Sequence, residues 1–291
     1  MAVHTTGTAG LSPTMQTYYD KKLLSRLLPE LFHLKFAQKR PLPKNGGKTI
    51  NFRQFTALTP ATTPLTEGVK PAGNALNMTQ KTGTVNQYGD YVEVSDVLDL
   101  TAIDPVLDET SDLLGEQAAQ TLDIIARDIL VAGTSVQYAN GRVSRVTVAA
   151  GDNLTVAEIR KAKRTLKRAN VKPLEGGDYV AIVEPGAVYD LQSDTKWEEV
   201  SKYAGGKQIF DGEVGRLYGV RFIETSFAKK FTGAGAAGVD VYATLVFGKD
   251  FYGMVDIASS GSVQNIIKPH GSAGTADPLD QIATSGYTLA A

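Results

Sequence analysis

Apolar and polar positions alternate along Thr49–Leu58 (TINFRQFTAL). Ile50 and Phe52 share one side, and Phe55 is slipped by one. Period-two alternation of this kind is the signature of a β-strand. Thr84–Val94 (TVNQYGDYVEV) shows the same rhythm and is expected to return alongside it. Between them, residues 59–83 are rich in Thr, Pro, Gly and Asn, which suits the far end of a hairpin. Each arm of such a ribbon has about 20 residues and spans roughly 60–70 Å at ~3.3 Å per residue. A compact chain of this length has a radius of gyration of only about 19 Å. The ribbon is therefore expected to project. An isolated two-stranded ribbon is marginal in water, so it needs something to lie on, and a neighbouring subunit is the natural support.

The period changes to 3.6 elsewhere. Gln16–Leu28 reads as a short helix with Leu24, Leu27, Leu28 and Leu31 in a narrow stripe broken at Pro29, after a small and polar stretch 1–14 expected to be flexible. Residues 105–132 read as the longest helix, about 42 Å. Asp104 is its expected N-cap, Pro105 its first residue and Gly133 its stop. Its apolar stripe is Val106, Leu107, Leu114, Ala118, Leu122, Ile125 and Ile129. A second helix begins at Thr155, where Thr155 and Glu158 form an expected capping box. Val156, Ile159, Ala162, Leu166 and Ala169 are its apolar side, and Arg160, Lys161, Lys163, Arg164, Lys167 and Arg168 cover the rest. Tyr179–Val183 reads as a buried strand, and Pro185 opens another helix. Residues 205–225 read as turns and strands, and Val241–Phe247 and Gly253–Ile257 as strands. Helices and strands mix without βαβ alternation, which predicts an α+β fold. No fixed-period repeat is present.

Composition narrows the chemistry. The 291 residues include no Cys, which excludes disulfides, thiol catalysis and cysteine-zinc sites. The three histidines, His4, His33 and His270, show no ligand spacing, so no metal site is expected. No signal peptide and no membrane span are expected. The formal net charge of -1 announces no nucleic-acid binder. That neutrality hides an asymmetry: residues 1–50 carry a net +6, and residues 90–130 a net -10. A basic arm and an acidic body are suited to pair within the chain or across subunits.

Motifs that might carry a reaction fail on context. Gly233, Gly235 and Gly238 match GxGxxG, yet a strand-like VDVYATLVF follows where a phosphate-cradling loop needs a helix. A flexible hairpin loop is expected there. Gly46-Gly47-Lys48-Thr49 resembles the end of a P-loop, but the first required glycine falls at Leu42, so a turn is expected. The basic helix 160–168 lacks stacking aromatics and reads first as a solvated face. GxSxG is absent, and no carboxylate stands at a motif that singles it out. No catalytic, cofactor-binding or metal residue is nominated, and the chain is not expected to be an enzyme. The single tryptophan, Trp197, reads as a packing anchor, either near a subunit edge or in the core.

An ordered set of segments carries a resemblance. FAQKRPLPKNGGKTINFRQF (36–55), LTEGVKP (65–71) and YGDYVEVSDV (88–97) come first. DPVLDETSDLLGEQAAQTLD (104–123), GTSVQYA (133–139), GEVGRLYGVRFIET (212–225) and the tail IIKPHGSAGTADPLDQIATSGYTLAA (266–291) follow. Together they resemble the major capsid proteins of tailed bacteriophages with the HK97-type fold, in the family named for the capsid protein of the N-four coliphage. Family members usually continue past the glycine-aromatic step of this tail with a further apolar strand. This sequence stops at Ala291, so either a short last strand or a longer chain is expected.

The resemblance implies an N-terminal arm at 1–45 and a projecting extended β-hairpin loop at 46–93. It implies a peripheral domain with a long spine helix at 94–151, an axial domain at 152–252, and a return to the peripheral domain at 253–291. It also implies self-assembly through hexamers and pentamers into an icosahedral shell around double-stranded DNA. Non-specific contact with that DNA, and portal, scaffolding and decoration proteins as further partners, follow from the same likeness. The expected place is the virion, assembled in the bacterial host cytoplasm, with no membrane and no cofactor. The inter-subunit residues expected on the extended loop are Ile50, Phe52, Arg53, Phe55, Glu67, Lys70 and Tyr88. Two other readings stand beside this one. An encapsulin-like nanocompartment shell shares the fold and would be betrayed by cargo enzyme. A nucleic-acid-binding protein using the basic helix 155–170 would show steep salt-dependent DNA affinity as a monomer.

Overall fold

The structure is a computed structural model that describes residues 31–42, 47–102, 106–174, 176–194, 197, 213–257, 263–272 and 277–290. The expected helix Gln16–Leu28, the stretch 1–14, the cap at Asp104 and Pro105, and residues 205–212 lie outside the described residues. In chain order the first elements are β1 (Gln38–Leu42), β2 (Thr49–Phe55), β3 (Met78–Thr84) and β4 (Gln87–Ser95). Helices α1 (Asp96–Thr101), α2 (Val106–Val131) and α3 (Val156–Arg168) follow. Then come β5 (Tyr179–Val183), α4 (Pro185–Gln192), β6 (Glu213–Leu217), β7 (Val220–Glu224), β8 (Lys230–Phe231), β9 (Val241–Tyr242) and β10 (Leu245–Phe247). The last are β11 (Gly253–Ile257), β12 (Val263–Lys268) and β13 (Ile282–Ala290). The mixture is α+β.

Five consecutive buried residues make β5 the centre of a four-stranded sheet in the order β10-β5-β7-β6. β5 and β7 run parallel and the other neighbours antiparallel. A strand buried on both faces has no polar positions, which is why YVAIV reads as an unbroken apolar run. Tyr179, Ala181 and Val183 point into one core with Val156 and Ile159 of α3, Val188 and Leu191 of α4, and Phe222 of β7. Val180 and Ile182 point into the opposite core with Phe247, Phe32 and Phe36. Trp197 stands edge-on to Phe222, with ring centroids 5.4 Å apart. It belongs to the first core, which decides between the two places its sequence context allowed.

The second centre is a three-stranded antiparallel sheet, β12-β13-β4, covered by α2. The 26 residues of α2 span about 39 Å. Its inward stripe is Ser111, Leu114, Gly115, Ala118, Ala119 and Leu122, and these small residues bring the helix close to Tyr287 and Leu289 of β13. Ile129, read as part of that stripe, is exposed. β13 is nine residues long and lies in the middle of its sheet, so the last strand is not short.

The segment 31–37 joins the two centres. Leu31 and Leu34 pack into the α2 core while Phe32 and Phe36 pack into the second β5 core. Between them His33 is fully buried against the fully buried Asp123 of α2. Nδ1 of His33 lies 2.6 Å from Oδ2 of Asp123, and the His33 backbone N–H donates to Oδ1 at 2.7 Å. The Tyr252 hydroxyl donates to the His33 carbonyl, and burial holds its phenol well above the ordinary tyrosine range.

Two local expectations are corrected. Thr155 precedes α3 but its side chain caps nothing. The Val156 N–H instead goes to Oδ2 of Asp194 at 3.2 Å, and Glu158 is drawn away to Gln137 at 2.6 Å and Lys161 at 2.6 Å. Of the expected return strand 84–94 only Thr84 pairs with Thr49–Leu58, opposite Thr49. β4 pairs along its whole length with β13, and the partner of β2 is β3, inside the stretch read as the hairpin tip. MTQKTGT carries almost no apolar signal, and both its faces are largely in solvent, so no alternation marked it.

Candidate inter-subunit surface

β2 and β3 form an antiparallel ribbon from Thr49↔Thr84 to Phe55↔Met78. The Thr56 N–H to Asn77 carbonyl bond, 2.9 Å, extends it by one step. The paired part is seven residues per strand, about 23 Å, shorter than the twenty expected. Residues 57–77 continue without paired strands. Every residue from 53 to 82 is exposed.

The root of the ribbon is held inside the chain. Ile50 and Phe52 lie on the same face, and Ile50 faces Gly83 across the pair. The Phe52 ring rests on Gly253 of β11, where any Cβ would collide with it. The Arg40 guanidinium of β1 stacks over the same ring at 5.1 Å from its centroid. β1 in turn pairs in parallel with β11. Only glycine at 253 leaves room for this contact, so the ribbon base is clamped by aromatic packing.

Beyond Phe52 the clamp ends. Phe55 lies on the opposite face, beside Met78, and is 64% exposed. The slip by one seen in the sequence is therefore a change of face, with no irregularity in the register. Leu58, Leu65, Val69 and Leu76 are also exposed, Leu65 to 77%. Arg53, Glu67 and Lys70 are exposed with them. Gly68, at φ +77°, turns the chain between Thr66 and Val69, whose N–H donates to the Thr66 carbonyl at 3.2 Å. Of the seven residues nominated from sequence, six share this ribbon and its loop. Tyr88 does not: it lies on β4 opposite Leu289 in the three-stranded sheet.

The other candidate chemistry resolves as turns and surfaces. Gly233–Gly238 sits in the loop between paired β8 and β9, and no helix follows it. Among the described residues no group of three His, Asp or Glu is placed to hold a metal ion. No described helix is long and apolar enough to cross a membrane. Sequence reading missed the His33–Asp123 pair, since one buried histidine leaves no periodic trace. It also missed Tyr218, which the fold sets against the basic side of α3.

The family model described as phage capsid protein matches residues 77–266, more than half of the 291-residue chain. The chain belongs to that family: it is a phage capsid protein. The capsid of Ralstonia phage GP4 aligns with a TM-score of 0.69 at 15% identity, covering 88% of this chain and 81% of that one. The cyanophage Pam1 capsid aligns at 0.65 and 17% identity, covering 92% and 86%. The head structure of Helicobacter pylori bacteriophage KHP40 aligns at 0.62 and 14%, covering 87% and 79%. No curated protein sequence matches the chain. The fold is the HK97-type capsid fold that the resemblance implied.

Proposed function

We propose that this chain is the major capsid protein of a tailed phage, assembling through hexamers and pentamers into an icosahedral head around double-stranded DNA. It works in the virion after assembly in the host cytoplasm, and its role is structural, without catalysis. One observation supports this most: the run 53–82 is exposed throughout, and Phe55, Leu65, Val69 and Leu76 stand in solvent on it. A monomer rarely leaves so many apolar groups on one projecting element unless a partner covers them. In this reading the ribbon and loop lie on a neighbouring copy. Phe55, Leu65 and Leu76 are buried there, and Arg53, Glu67 and Lys70 supply charged contacts. Ile50 and Phe52 set the angle at which the ribbon leaves the body. Each contact is modest, and closure of a shell makes them act together.

The division follows the same reading: arm 1–45, extended loop 46–93, peripheral domain 94–151 and 253–291, axial domain 152–252. Portal, scaffolding and decoration proteins complete the partner set. The test replaces residues 57–76 by Asn-Gly, which preserves β2, β3 and their register. The expected product is a folded chain that forms no shells by light scattering and negative-stain electron microscopy. Intact shells would overturn the proposal.

A further inference from the structure

One surface is left unused by the assembly reading. Arg160, Lys163, Arg164, Lys167 and Arg168 recur at spacings of three, four, seven and eight on α3 and therefore share one side of it. They line a shallow groove completed by Tyr218. The groove is built, because its far wall is held in place. Tyr218 and Gly219 form the two-residue turn between β6 and β7, with φ of 51° and 73°. Positive φ at both positions is the hairpin turn that matches strand twist. The Lys163 ammonium donates to the Tyr218 carbonyl, tying turn to helix. The Arg160 guanidinium lies 5.4 Å from the Tyr218 ring centroid.

Among the described residues no ion pair neutralises the outer part of the groove. Arg164, Lys167 and Arg168 are exposed and engage no acid among the described residues. Two described acids of the same region are engaged with other bases: Glu158 with Lys161 at 2.6 Å, and Asp178 with Arg216 at 2.8 Å. From Arg160 to Arg168 the stripe runs about 12 Å along the helix axis. Five like charges close together repel one another, and a bound polyanion relieves that repulsion. Guanidinium groups fit phosphate oxygens through paired N–H donors, and an exposed aromatic ring beside them suits a sugar or base.

We infer that the cationic side of α3, with Tyr218, binds the phosphate backbone of nucleic acid without reading its sequence. The inference rests on the capsid reading only for where such DNA would be met. A chain of net charge -1 then holds DNA through one local patch and weakly, by counterion release.

The experiment titrates the full chain, kept below its assembly concentration, with a labelled mixed-sequence duplex of about 20 base pairs over a range of salt. The variants are R164Q/K167Q/R168Q and, as a control, K229Q/K230Q, whose lysines already pair with Asp128 and Asp240. The wild-type chain is expected to bind with a log–log salt slope of about -4, and the triple variant to bind at least about ten-fold more weakly with a slope smaller by about 2.7. The control is expected to match wild type, and a second duplex of different sequence to bind equally. Equal affinity and slope in the wild-type chain and the triple variant, or no binding by wild type, would sink the inference. So would a triple variant that binds DNA normally but no longer forms shells, which would make the groove a contact for an acidic neighbouring copy. Shell formation by the wild-type chain, scored separately, reports on the capsid reading alone.

Discussion

The ribbon β2–β3 and the sheet around β5 are both β-structure, yet they are stabilised in opposite ways. β5 has all five residues buried, and two cores close over its faces. In the ribbon only Ile50, Phe52 and Gly83 are partly covered, and its side-chain bonds, such as Thr82 to Asn51 at 2.9 Å, lie in solvent. Burial scales with apolar area removed from water, so the body keeps its shape alone. The ribbon holds its register by backbone bonding and leans on one aromatic clamp at Phe52. Monomer stability therefore resides in the body and reaches the ribbon only as far as Phe52.

Substitutions that break this contrast have graded effects. Phe222→Ala in the first core is expected to cost about 3–5 kcal/mol in urea unfolding, because it also empties the seat of Trp197. A cost under about 1 kcal/mol would mean the sheet is far more plastic than its packing implies. Asp123→Ala leaves His33 buried without its partner and is expected to cost about 3 kcal/mol in the same assay. Its effect should be felt by both cores, because residues 31–37 serve both.

Phe55→Ser together with Leu65→Ser is the complementary change. Monomer stability is expected to stay within about 0.5 kcal/mol of the parent, while shell yield in light scattering collapses. Loss of monomer stability instead would show that the ribbon packs on its own body. The smallest effect concerns the loop before α3. Arg142, then the Ala149 N–H and Asn140, hold the Asp152 carboxyl down to about 2. Its folded value lies below the ordinary one, so this contribution is complete above about pH 4 and is lost as pH falls through about 2. Arg142→Ala is expected to move the Asp152 midpoint upward in an NMR titration, with shell formation at neutral pH unchanged.

Much of this was legible before any coordinates. The unbroken YVAIV run, the α2 stripe from Leu114 to Leu122 and Pro185 at the start of α4 appear where their patterns put them. Six of the seven nominated contact residues share one projecting element. Tyr88 lies on β4 and not on the ribbon, for a specific reason. Its strand alternates as a ribbon arm would, and alternation names a strand without naming its partner. β3 was missed because a strand exposed on both faces has no apolar face to alternate. Thr155 and Glu158 have capping-box spacing, but Gln137 and Lys161 compete for the Glu158 carboxylate once the chain folds.

The sequence specifies the kinds of element, because period, turn residues and caps act over a few neighbouring positions. It also determined that a long polar insertion leaves the body, because residues 59–83 cannot bury a core. Tertiary structure alone decided the pairings over long separation: β1 with β11, β4 with β13, His33 with Asp123, and the turn at Tyr218 against α3. Each joins residues far apart in the chain, and nothing local distinguishes the true partner from others of similar character. Only the simultaneous packing of both cores selects it.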